Sequence, residues 1–172
     1  MTDALYTSRR VFLACTAVAL TGASVPAVAL TAQHTRMFSG RPALVLHQAH
    51  DTHAVAFANE FARAGFATLA LTDDPVRQWR DGLARLALEE RFVLLGLGNW
   101  SDYVVLRGLT AEQRRYPMFE LQLRRMADSA WARQHARDLL MCAAADDPRA
   151  ALRNLSRAAE CITTTSSFSW II

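Results

Sequence analysis

The residues that could do chemistry crowd into one short stretch. In Leu44-Val45-Leu46-His47-Gln48-Ala49-His50-Asp51-Thr52-His53 an apolar run opens into three imidazoles and a carboxylate. Imidazole and carboxylate are ligand types for zinc or iron, so His47, His50 and His53 are the candidates, with Asp51 beside them. The spacing argues against a metal. It contains no zincin pattern and no i, i+4 helical pair, and if Asp51 caps a following helix its carboxylate is already engaged. A helix N-terminus also carries positive partial charge, which disfavours a cation and keeps His53 neutral. Loop and cap polarity is the stronger reading, and no metal is assigned.

Two other loops carry comparable residues. Thr72-Asp73-Asp74-Pro75 is a turn leading into a helix, and Gly98-Asn99-Trp100-Ser101-Asp102 is a strand end leading into another. Exposed amides at the starts of adjacent helices would suit a carboxylate or phosphate. Gly96-Leu97-Gly98-Asn99-Trp100-Ser101 is close to the G-x-G-x-x-G fingerprint, with serine at the third glycine. A lone match is weak, and the first loop, where a dinucleotide domain would carry the motif, has no glycine. Ser101 with His50 or His53 and Asp102 or Asp73 supplies the residue types of a catalytic triad. The G-x-S-x-G elbow is missing, and Ser101 is more simply a helix cap. Trp100, at a loop, could stack on a ligand. Trp79 and Trp131 fall on apolar stripes and read as core, and His135, in an arginine-rich helix, reads as a surface residue.

These loops need elements to position them. Ala43 to Leu46 is an apolar run of strand length, of the kind found where both sheet faces are buried. A helix follows from Asp51 or Thr52, with Val55, Phe57, Ala58, Phe61 and Ala62 on one side and Gly65 as its stop. Ala67 to Leu71 is a second strand. A helix entered at Pro75 buries Val76, Trp79, Leu83, Leu86 and Ala87, and Phe92 to Leu97 is a third strand. A further helix covers about Ser101 to Leu109. Met118 to Leu123 alternates as a fourth strand, residues 126 to 145 and Pro148 to about Cys161 read as helices, and Phe168 to Ile172 as a closing strand. The alternation of strands and helices predicts a small three-layer α/β domain with a mostly parallel, flavodoxin-like or Rossmann-like sheet of four or five strands. If the first three strands lie in the order 2-1-3, the loops after strands one and three become neighbours at the edge where such sheets bind ligands. That edge gathers the candidates His47, His50, Asp51, His53, Asp73, Asn99, Trp100, Ser101 and Asp102.

The N-terminus has a different character. Ser8-Arg9-Arg10-Val11-Phe12-Leu13 leads into a weakly apolar stretch, then Pro26-Ala27-Val28-Ala29. A charged start, an apolar middle and a small-x-small end make a secretory signal with cleavage after Ala29. The motif resembles the twin-arginine translocation signal, S/T-R-R-x-F-L-K, at Arg9, Arg10 and Phe12, and departs from it at Ala14, where the pattern has lysine. The resemblance implies export to the periplasm by the twin-arginine translocase in an already folded state. It also implies that a cofactor or a cofactor-containing partner could travel with the chain, although no cofactor type follows. The expected organisation is a signal over 1–29, a polar linker over 30–41 and one domain over 42–172, long enough to bury a single core.

All 19 basic residues are arginine and they are interspersed with 16 acids, so no basic stripe marks a nucleic-acid partner. No segment after the signal is apolar enough to span a membrane. Cys142 and Cys161 remain after cleavage. An oxidising periplasm would allow them to pair, and burial as two small apolar residues is the alternative. The functional expectation is an exported, non-catalytic accessory or small-ligand protein that binds an anion. The rival is a hydrolase-type enzyme using the histidine-rich loop, with or without a metal.

Overall fold

A computed structural model of the chain describes residues 36–89, 92–124, 128–159 and 165–172. The signal residues Arg9, Arg10, Phe12, Ala27 and Ala29 lie outside the described residues, as does Cys161, the expected partner of Cys142. In order, the elements are β1 (Met37–Phe38), β2 (Arg41–Gln48), α1 (Thr52–Arg63), β3 (Ala67–Leu71) and α2 (Pro75–Gln78). A wide π-type turn over Trp79–Leu83 leads into α3 (Ala84–Glu89). Then come β4 (Val93–Gly98), α4 (Trp100–Glu112), β5 (Phe119–Arg124), α5 (Ser129–Ala143), α6 (Pro148–Ala159) and β6 (Thr165–Ile171).

Ordered packing starts before Pro42, inside the stretch grouped with the linker by composition. Phe38 is fully buried, and β1 and β2 form a hairpin in which Phe38 pairs with Arg41. Its two-residue turn has φ of 51° at Ser39 and 75° at Gly40. Positive φ at both central positions is the turn whose twist matches the flanking strands.

The first three main strands run parallel, with β2 between β3 and β4. β2 and β4 are apolar on both faces because helices cover both, whereas β3, at the edge, is mostly half-buried. Ala43, Val45, Val93, Leu95 and Leu97 pack with Phe57, Phe61, Ala136 and Leu139 of α1 and α5. Leu44, Leu46 and Leu94 pack on the other side with Trp79, Leu83, Tyr103 and Leu106. At about 1.5–3 kcal/mol for each fully buried large apolar side chain, this two-sided burial fixes the register, because a one-residue slip would exchange the faces. α1 ends as expected at Gly65, with φ of 86°. The Phe66 N–H donates to Phe61 O at 3.0 Å and the Gly65 N–H to Ala62 O at 2.9 Å, the paired bonds of a Schellman motif.

The mostly parallel, flavodoxin-like sheet is not what forms. Beyond β4 the path continues through β6 to β5. β6 is antiparallel to both β4 and β5, and β1 is antiparallel to β2. The sheet is therefore mixed, mostly antiparallel and strongly curled. The reason is parity. One helical pass between β2 and β3, and one between β3 and β4, returns the chain to the same end of the sheet, so those strands run parallel. Two helices, α5 and α6, separate β5 from β6, and the second pass brings the chain in from the opposite end.

β6 also explains the glycine of β4. Gly96 pairs with Trp170, and a Cβ on Gly96 would lie 2.2–2.7 Å from three atoms of that indole. The Trp170 side chain, 2% exposed, lies over the bare backbone and packs with Tyr103, whose ring centre is 6.3 Å away. Gly96 is thus a packing residue.

Candidate functional site

The three polar loops do meet at one edge of the sheet. β2 lies between β3 and β4, so the loops following these strands come together at their carboxyl ends. An open cleft of about 330 Å³ lies there, lined by Gln48, His50, Asp51, Thr72, Asp73 and Asp102, among others. Gln48 and Asp102 join its walls, with Gln48 Nε2 donating to Asp102 Oδ2 at 2.5 Å. Burial pushes the Asp102 carboxyl above the usual carboxylate range, and the Gln48 hydrogen bond pulls part of the way back. Gln48 was not singled out from the sequence, because an uncharged residue at a strand end gives no chemical signal.

The helix starts around the cleft satisfy their own amides. Asp51 Oδ1 accepts from the N–H groups of His53 at 2.8 Å and Ala54 at 3.3 Å, as the cap reading required. Asp74, not Asp73, caps α2 by accepting from the Arg77 N–H at 2.9 Å, and Asp73 is left exposed on the cleft wall. Asn99, not Ser101, caps α4, accepting from the Asp102 N–H at 2.8 Å. The Ser101 hydroxyl donates to Asn99 Oδ1 at 2.7 Å. The loop after β3 is pinned by Gln78, whose Oε1 accepts from the Thr72 N–H and whose Nε2 donates to Ala70 O, both at 2.9 Å.

The histidines do not act together. His47 and Gln48 are consecutive strand residues and so point to opposite faces of the sheet. His47 Nδ1 is buried with no partner, and burial lowers its pKa. His50 is exposed in the turn and lines the cleft. His53 sits in the first turn of α1, with its Nδ1 also buried and unpartnered. Among the described residues no group of three or more His, Cys, Asp or Glu could hold a metal. Neither His50 nor His53 is hydrogen-bonded to Ser101, whose hydroxyl is committed to Asn99.

Three side chains sit differently from expectation. His135 is 3% exposed and not a surface residue. It is stacked between Trp131 at 5.1 Å and Phe57 at 6.0 Å, and desolvation lowers its pKa to about 4. Trp131 is 39% exposed and so roofs His135 at the surface, outside the core. Trp100 is half-exposed and its ring packs 4.5 Å from Phe168, a protein contact on the β6 side of α4. Among the described residues no helix is long and apolar enough to cross a membrane.

The fold and site thus define a mixed-sheet α/β domain with an acidic cleft across the carboxyl ends of its parallel strands. Comparison with protein-family models, with curated proteins and with solved structures finds no match to the chain.

Proposed function

We propose that the chain is an exported, non-catalytic binding protein for a small, polar, positively charged ligand, taken up in the cleft at the carboxyl ends of β2, β3 and β4. The observation that carries this reading is the cleft's lining. Asp51, Asp73 and Asp102 contribute carboxylates, no arginine among the described residues lines it, and Gln48 and Thr72 add polar groups. The expected anion preference is weakened at this edge, because Asp51, Asp74 and Asn99 each engage helix-start amides that an anion would use. The hydrolase reading loses support for a related reason: the Ser101 hydroxyl donates to Asn99 Oδ1 and not to a histidine.

Export rests on the resemblance of Ser8 to Leu13 to the twin-arginine motif, which brings with it the translocase as a transient partner and a cofactor-containing protein as a possible travelling companion. Replacing Arg9 and Arg10 together with lysine should stop export of the full chain. Unchanged export would remove the localisation. For the ligand, calorimetric titration with 1,4-diaminobutane should show one saturable site, weakened about tenfold by Asp73→Asn or Asp102→Asn, as loss of a charge-assisted hydrogen bond requires. Affinity unchanged in both variants would remove the cleft from the account.

A further inference from the structure

The opposite end of the sheet has a second cleft, of about 340 Å³, whose lining includes Ser39, Arg41, Met118, Asp146, Asp147 and Arg149. Unlike the first, it is lined by arginines as well as aspartates, two of each. Arg41 opens β2 directly after the Ser39-Gly40 turn and is half-buried. A guanidinium offers five N–H donors, yet among the described residues the one side-chain hydrogen bond Arg41 makes runs from Nη2 to Met118 Sδ at 3.3 Å, and a thioether is a weak acceptor. No carboxylate lies within ion-pair distance of Arg41 or Arg149 among the described residues.

The neighbours leave that charge unanswered. Asp147 caps α6, its Oδ1 accepting from the Ala150 N–H at 3.0 Å, and among the described residues it forms no ion pair with Arg41 or Arg149. Arg115 donates to main-chain oxygens of Ala87, Phe92 and Ile172. Burial lowers the Arg115 pKa, and the nearby Arg41 charge lowers it further. Two guanidiniums thus stand close together, one of them half-buried beside an open cleft with almost all its donors unused. Asp146 is exposed at the rim, where solvent and salt screen its charge.

We infer that this cleft binds a small oxyanion, a carboxylate or a phosphate group, held in the fork of Arg41 with Arg149 and the Ser39 hydroxyl as further donors. A planar fork matched to two oxygens is the geometry in which arginine outperforms lysine. The site is separate from the carboxyl-end cleft and stands or falls independently of it.

The test is calorimetric titration of the folded protein at constant ionic strength, once with sodium phosphate and once with sodium succinate. One saturable site is expected for at least one of them, and the tighter arm identifies the oxyanion class. Arg41→Gln should weaken it about ten- to a hundredfold. Arg41→Lys, which keeps the charge and loses the fork, should also weaken it, and this variant decides the matter if the glutamine variant fails to fold. Arg157→Gln, an exposed control on α6 away from the cleft, should leave it unchanged. No saturable binding of either anion, or equal weakening by Arg157→Gln, overturns the assignment.

Discussion

The two ends of the sheet use their polar groups in opposite ways. At the carboxyl ends of the parallel strands many polar groups are paired internally: Asp51, Asp74 and Asn99 cap helices, Gln48 joins Asp102, and Gln78 holds Thr72. What remains for a ligand there is carboxylate oxygen. At the amino ends, Arg41 and Arg149 line a cleft of similar volume and, among the described residues, form no ion pair with the Asp146 and Asp147 that share its lining. The end that looks richest in chemistry by composition has used much of it to build the fold. The end that looks poorest has kept its donors free, and free donors are what a ligand can use.

That contrast can be broken by asking which substitutions cost stability. The largest effect is expected from α5, which leads from the carboxyl end of β5 toward Asp146 and Asp147 at the far cleft. His135 is held neutral at a pKa of about 4, below the value near 6.5 of a solvated imidazole. The unfolded chain therefore binds a proton that the folded chain refuses. Stability fully present above about pH 6.5 is lost as the pH falls toward 4, by about 3 kcal/mol in all. Asp102, its carboxyl pushed up by burial, acts in the opposite sense. The clean measurement is therefore the difference in urea midpoints between wild type and His135→Phe across that range. Equal pH slopes would mean that the imidazole is not desolvated.

Next in size is Gly96→Ala. A methyl group 2.2–2.7 Å from the Trp170 indole should cost about 1–3 kcal/mol by overpacking, read as a lowered thermal midpoint. Unchanged stability would return the glycine to a ligand-binding role and weaken the packing view of that end. The smallest pair sharpens the contrast most. Asp51→Ala removes a helix cap and should cost about 1 kcal/mol, whereas Arg149→Gln, in the open cleft, should stay within about 0.5 kcal/mol of wild type. Comparable losses in both would erase the difference between the ends.

Much of the molecule was legible before its structure. The apolar runs at Ala43–Leu46 and Phe92–Leu97, the cap at Asp51 and the stop at Gly65 are local signals, and local energetics decides them. The convergence of the loops after β2 and β4 followed from strand order alone. The sheet type does not follow, because alternation in the first half of the chain says nothing of strand direction in the second. The cue was present in Asp146-Asp147-Pro148, which divides the connection between β5 and β6 into two helices and so reverses β6. His135 was misplaced because the arginines around it describe the outward faces of α5, while its own position faces Phe57 across α1. Arg41 was invisible for a different reason. Whether an arginine is paired depends on distant residues such as Met118, which no spacing along the chain reveals.

The claim on which the rest depends is that the two clefts select ligands of opposite charge. Two-dimensional amide NMR of one ¹⁵N-labelled sample, titrated with 1,4-diaminobutane and separately with sodium succinate, tests it directly. The diamine should shift Ala49, His50, Thr72 and Asp73 and leave the amino-end cleft still; the succinate should shift Ser39, Gly40, Arg41 and Arg149 and leave the carboxyl end still. Both ligands shifting the same set, or neither reaching saturation, would contradict the account.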